Sequence, residues 1–234
     1  MLKFFKNQWQ QRDRQRAKAK TQHPDMLQFL GAHPPSSSTS ALASRYLVLD
    51  LEMTGLDAKV DSILSAGWVL IEQGQVLLST AQHHYVQQQQ ASVNLDQSAP
   101  IHNIHHKHLA SGIALEAVLG ALLRDLQDHI LVVHHAPLDR AFLDKACLSE
   151  YGVRLYTPVI DTLQVERKKL LIHGTLEGQS LRLNDCRQRY NLPNYKAHNA
   201  VIDAIATAEL WLAQLASTQT QPHTKPVPVS YFLS

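Results

Sequence analysis

The sequence is poor in the features that build secreted or membrane-spanning proteins. Only two cysteines, Cys147 and Cys186, occur in 234 residues, far apart and outside any CxxC pair. Neither a disulfide framework nor a cysteine zinc knuckle is expected. No apolar run reaches the roughly 18–20 residues that cross a bilayer. The basic N-terminus lacks the apolar stretch and small-residue cleavage site of a signal peptide. A reduced, cytoplasmic protein with no membrane contact is the expectation. Charged residues, at 18%, fall below the usual share of about 25%, and Gln, His and Ser carry the polar load instead. The 44% hydrophobic content still supports a core, which excludes wholesale disorder. The length suits one domain with tails, or at most two small domains.

The net charge of +2 conceals an asymmetry. Residues 1–25 hold seven Lys or Arg against Asp13 and Asp25, a surplus of five, and the remainder carries a net charge of −3. A basic arm on a mildly acidic body fits phosphate binding beside a cation site, or else simple solubility. Residues 1–43 read as an extension, with a helix predicted near residues 4–20 and a Pro/Ser linker at 33–40. Residues 218–234 read as a Pro-rich tail that docks through Tyr231, Phe232 and Leu233.

Between these ends, residues 44–217 alternate in pattern. Buried strands are expected over residues 45–50 and 130–133, a hairpin over 63–71 and 75–86 turning near Gly74, and a fifth strand over 155–160. Helical spacing covers residues 112–128, 138–148 (after Pro137), 162–170, 180–190 and 199–216. A three-strand meander followed by alternating strands and helices gives an α/β domain on a mixed five-stranded sheet flanked by helices.

Four acids occupy unusual places. Asp50 and Glu52 end a buried strand two residues apart, so both carboxylates project from one face. Like charges that close repel unless a cation lies between them. Asp139 opens a helix, where exposed N–H groups favour a carboxylate. Asp203 interrupts the apolar run Val201-Ile202-Asp203-Ala204-Ile205, which is costly if buried alone. Each has an ordinary alternative: a helix cap, a surface acid, a partner for Lys or Arg. Together, hard oxygen donors at strand ends and helix starts suit Mg²⁺ or Mn²⁺ rather than zinc. His198 lies five residues before Asp203, roughly 140° around a helix, so it belongs in the loop or first turn beside that acid. The group His102, His105, His106 and His108 lacks a matched second pair of ligands, which argues against zinc.

These residues fall in five ordered motifs that resemble the DEDDh, DnaQ-like 3′–5′ exonuclease family of the ribonuclease H-like fold. Asp50-Leu51-Glu52-Met53-Thr54-Gly55-Leu56 resembles its DxExTGL motif, His134-His135-Ala136-Pro137-Leu138-Asp139 its HNAxFD, and His198 to Asp203 its HxxxxD. Ile101-His102-Asn103-Ile104 is similar to the IHGI loop and Ile160-Asp161-Thr162-Leu163 to the LDTL strand end. Departures are His135 for Asn, Leu138 for Phe, Asn103 for Gly, and Ser65 where the family often has Glu.

The resemblance implies hydrolysis of phosphodiester bonds at the 3′ end of single-stranded nucleic acid, DNA favoured, releasing nucleoside 5′-monophosphates. It implies two divalent cations held by Asp50, Glu52, Asp139 and Asp203, with His198 as general base. Thr54, Gly55, Leu56 and Ile104 would border the terminal nucleotide. The DLEMTGLD stretch is also similar to oligoribonuclease-type RNA exonucleases, whereas the IHGI-like and LDTL-like motifs favour the proofreading epsilon type of bacterial DNA polymerase III. A DNA polymerase or other replication or repair partner fits that second likeness. A non-catalytic nucleic-acid-binding accessory protein is the competing class.

Overall fold

The computed structural model describes residues 12–33, 36–88, 109, 111–218 and 226–233. Its centre is one sheet of five strands, β1 (Tyr46–Met53), β2 (Ile63–Glu72), β3 (Gln75–Tyr85), β4 (Ile130–Val133) and β5 (Val159–Asp161), in the order β3-β2-β1-β4-β5. The β1–β2 and β2–β3 pairs are antiparallel, while β4 runs parallel to both β1 and β5. Among the described residues, besides the helical segment 12–18, the helices α1 (Pro24–Gly31), α2 (Leu115–Leu126), α3 (Ala136–Tyr151), α4 (Thr162–Ile172), α5 (Leu183–Gln188) and α6 (Ala200–Thr218) pack around it. This is the expected mixed α/β sheet. The strand predicted over 155–160 shrinks to 159–161 and the helix predicted over 180–190 to 183–188.

Strand parity divides the interior into two cores. Leu47, Leu49, Leu51 and Met53 of β1 face α1, α2 and α3, alongside Phe29, Leu119, Leu122, Phe142 and Leu143. Tyr46 and Val48 face the other way, toward Trp211 and Leu215 of α6. The same parity carried along β1 turns Asp50 and Glu52 toward α6. The last helix is what those carboxylates must meet.

Helix α6 has the length and apolarity of a membrane-crossing segment, contrary to the expectation that no run reaches that size. Its apolarity is accounted for by the sheet it covers, because Ala204, Ala208, Leu210, Trp211 and Leu215 are all buried. Both cysteines are free and buried, and burial pushes each thiol up to about 12. Neither is a reactive thiol.

The two ends are more involved than the sequence suggests. Met26, Phe29 and Leu30 of α1, in the stretch read as an extension, are buried in the first core. Residues 12–18 are helical, and their one buried cation, Arg14, donates to the carbonyls of Tyr156 at 2.6 Å and Ala32 at 3.1 Å, and to that of Phe29. Burial lowers its guanidinium to about 10, still charged at neutral pH. Part of the Pro/Ser stretch pairs with the C-terminal segment: Ala41 N–H donates to Val227 O and Val229 N–H to Thr39 O. Phe232 meets Trp211 edge-on at 4.9 Å, the docking expected of the tail.

Candidate active site

Small residues on β2 make room for the site. Gly67 pairs with Asp50 and Ser65 with Glu52 across the β1–β2 ladder, on the face turned to α6. A side chain at Gly67 would collide with the backbone of Ala200 and Val201, so this glycine lets the first turn of α6 lie directly on the strand. Asp203 in that turn is thereby brought over the end of β1. One carboxylate oxygen from each of Asp50, Glu52 and Asp203 lies within 4.8 Å of the others.

Asp139 enters from the opposite side. The chain leaves β4, turns through His135 in the left-handed region (φ 102°), and starts α3 with Pro137 in its first turn. A β-carbon residue there is strained, and Asp161 holds the turn. Its buried carboxylate accepts the N–H groups of His135 (3.2 Å), Ala136 (3.0 Å), Leu163 (3.0 Å) and Gln164 (3.3 Å), capping the starts of α3 and α4 together. Asp139, 6% exposed, then points inward one turn along α3.

The acids repel one another strongly. Burial, then the charges of Asp139, Asp203 and Glu52, push Asp50 well above the usual carboxylate range. Burial and Asp161 push Asp139 up to about 8. Asp203 is also raised, by burial first and by Glu52, and is drawn back by hydrogen bonds from His198 and Asn199. Three carboxylate oxygens this close, in part-buried surroundings with mutual repulsion, form a hard-oxygen set that a divalent cation fits. Asp139 lies outside this 4.8 Å group, although its charge acts on Asp50.

His198 stands where the helical offset placed it, before α6, with φ +69°. Its backbone N–H donates to Asp203 Oδ2 at 2.8 Å, so the acid fixes the turn that carries the imidazole. The loop after β1 is organised by Asp61. Asp61 accepts the Thr54 hydroxyl at 2.9 Å and Asp57 N–H at 2.9 Å, and Ser62 N–H donates back to the Thr54 hydroxyl. A side chain at Gly55 would strike the Asp61 carboxylate. Thr54 therefore fixes the loop, while Leu56, 77% exposed, offers an apolar surface to solvent. Ile104, with its neighbours Ile101 to His108, lies outside the described residues.

Sequence reasoning did not assign roles to Gly67, Asp61 or Asp161. Signals existed: a glycine inside an apolar strand, and an Asp at the junction of strand and helix.

A family model described as an exonuclease matches residues 47–211. A DNA polymerase III of the PolC type from Thermotoga maritima is 30% identical over 167 residues, covering 71% of this chain and 12% of that protein. The Bacillus subtilis PolC-type polymerase is 28% identical over 185 residues, covering 73% and 11%. The chain thus spans about an eighth of the length of these curated relatives. Among solved structures, the nuclease domain of 3′hExo, described as a DEDDh family member bound to rAMP, superposes with a TM-score of 0.64 at 14% identity, covering 81% of this chain and all of that one. Product-bound exonuclease I gives 0.63 at 14% identity, covering 74% and 43%. With its motifs in order and its acids gathered on a ribonuclease H-like sheet, the chain belongs to the DnaQ-like 3′–5′ exonuclease family of metal-dependent nucleases.

Proposed function

We propose that the protein removes nucleotides from the 3′ end of single-stranded nucleic acid, DNA in preference to RNA, and releases nucleoside 5′-monophosphates. The observation that carries this reading is the convergence of Asp50, Glu52 and Asp203 within 4.8 Å, with Asp139 pressing on Asp50. Asp50, Glu52, Asp139 and Asp203 would hold two Mg²⁺ or Mn²⁺ ions, which would supply water activation and charge stabilisation for phosphodiester hydrolysis. An imidazole nitrogen of His198 takes the proton from the attacking water. Water adds at phosphorus, the bond to the 3′ oxygen of the penultimate nucleotide breaks, that oxygen takes a proton from solvent, and His198 returns its proton to solvent. Leu56 packs against the terminal base, on a loop held by Gly55, Thr54 and Asp61. The DNA preference is supported by likeness to PolC-type DNA polymerases, and a polymerase is the corresponding partner class. The rAMP bound in the 3′hExo neighbour supports RNA as the second reading.

The test is a 5′-labelled single strand, as DNA and as RNA, incubated with Mg²⁺ and then with EDTA. Stepwise shortening from the 3′ end that stops in EDTA, faster on DNA, is expected. Undiminished cleavage in EDTA overturns the metal-dependent reading, and faster RNA cleavage selects the second one. His198→Ala should lower turnover by about 10²–10⁴-fold. Turnover equal to wild type would exclude His198 as the base.

A further inference from the structure

A broad groove of about 1060 Å³ borders the acidic site, its near end formed by Leu56, His135 and Leu138. Its walls carry Lys59, Arg140, Lys145 and Arg154 against Asp57 and Asp144. At its far end it adjoins a second cleft of about 310 Å³, and Leu148 and Arg154 line both. That second cleft is completed by Asp13, Arg16 and Lys20 of the N-terminal segment. Across the two clefts six cations face three carboxylates, in a molecule whose residues beyond 25 sum to −3.

The N-terminal cations are presented from a fixed place. Arg14 and Ala17, three residues apart, form the inward stripe of the helical segment and are buried at 5% and 3% exposure. Arg16 lies roughly 200° around the helix from Arg14 and is exposed, as are Lys20 and Arg154. The three carbonyl bonds of Arg14, together with its guanidinium 4.7 Å over the Phe29 ring, fasten this segment to the body. The residues concerned precede the part of the chain matched by the family model, which begins at residue 47.

We propose that these two clefts form one phosphate-binding strip, running from the rim of the acidic site across Arg154 onto Arg16 and Lys20, that holds the body of a single strand whose 3′ end is being cleaved. This deepens the function proposed above and rests on it. A surplus of cations along both clefts, with Arg16 held 3.6 Å from Asp13 in an exposed ion pair that a phosphate can displace, suits a repeating polyanion bound without regard to sequence. Exposed Leu56 and Leu148, at 77% and 44%, give the groove apolar patches between its charges. Unstacked bases can use such patches, whereas a duplex keeps its bases inside. The acidic cluster repels phosphate, so binding energy gathered on the strip is what brings a long strand to it.

The experiment compares kcat/KM for a strand of about 20 nucleotides and for a trinucleotide, in Mg²⁺, across a salt series. The proteins are the wild type, the triple variant R16E/K20E/R154E, and a control triple R45E/R124E/R167E that changes the same charge outside both clefts. Wild type should prefer the long strand, and the strip variant should lose that preference by about tenfold or more. Its salt slope should be lower by about 2, at about 0.7 per lost single-strand phosphate contact. Between about 50 and 200 mM salt, wild type would then lose about 15-fold more than the variant. Equal slopes for the two triple variants overturn the strip. So does a wild type that cleaves the trinucleotide as well as the long strand. A wild type that cleaves neither overturns the proposed function itself.

Discussion

Two kinds of buried carboxylate occur in this domain, and they are treated in opposite ways. Glu166 and Asp161, both about 1% exposed, are surrounded by donors. Glu166 accepts Arg189 Nε at 2.8 Å, the Tyr190 hydroxyl at 2.8 Å and Gln214 Nε2 at 3.2 Å, and Asp161 accepts four backbone N–H groups. Asp50, Asp139 and Asp203 are instead set against one another and raised by burial and like charge. In the first kind, donors within the fold offset the desolvation of each charge. The second kind is a standing cost to the fold that only a ligand relieves, which marks it as a site rather than a support.

The comparison breaks first at Asp50. Asp50→Ala or Asp203→Ala should lower 3′-end cleavage by several orders of magnitude, while the metal-free melting temperature of Asp50→Ala stays level or rises as repulsion is relieved. Mg²⁺ should raise the wild-type melting temperature and not that of the variants. A loss of metal-free stability in Asp50→Ala would move this acid into the supporting kind. Glu166→Ala should do the reverse, costing about 3–5 kcal/mol by leaving Arg189 and Tyr190 without their acceptor. Denaturant titration measures the loss, and Mg²⁺-dependent cleavage per folded molecule should persist.

Asp161→Asn probes the boundary between the two kinds. An amide cannot accept on both sides, so one of the His135, Ala136, Leu163 and Gln164 N–H groups is orphaned, at about 1–3 kcal/mol. Because that carboxylate holds the turn leading to Asp139, cleavage should fall as well, chiefly in kcat. An unaltered kcat would show that the turn holds without it.

The smallest effect concerns His134, whose ring nitrogens face the Thr162 hydroxyl at 2.8 Å and the Leu181 carbonyl at 3.0 Å. Burial holds its pKa below the ordinary value, against the pull of the Leu181 bond. The unfolded chain therefore takes up a proton first as pH falls, and stability present above about pH 6.5 declines below it. His129 is lowered in the same sense, by burial first. His134→Gln should flatten, not abolish, the acid limb of a melting-temperature profile. An unchanged limb would remove His134 from the account.

Much of this was legible because period-two alternation is simple to read. Asp50 and Glu52 share a face by parity alone, and the offset of His198 from Asp203 placed the histidine outside the helix. What escaped depends on contacts between distant segments. A glycine inside an apolar strand hints at a close approach, but which backbone Gly67 admits shows only once α6 lies on it. Residues 24–31 sit between a basic stretch and a Pro/Ser stretch, which hid the short apolar pattern of Met26, Phe29 and Leu30. Asp161 was visible as a strand end, but its grip on His135 is a relation between two crossovers.

The seat of α6 on Gly67 also orders events in time. Asp203 follows Asp50 and Glu52 by some 150 residues, and the cluster closes only when the last long helix docks on the second strand. Contacts of such separation form late, after the loops they close have been paid for in entropy. A chain in which α6 has not yet docked therefore lacks the gathered acidic cluster, and whatever chemistry that cluster performs waits on the last long helix.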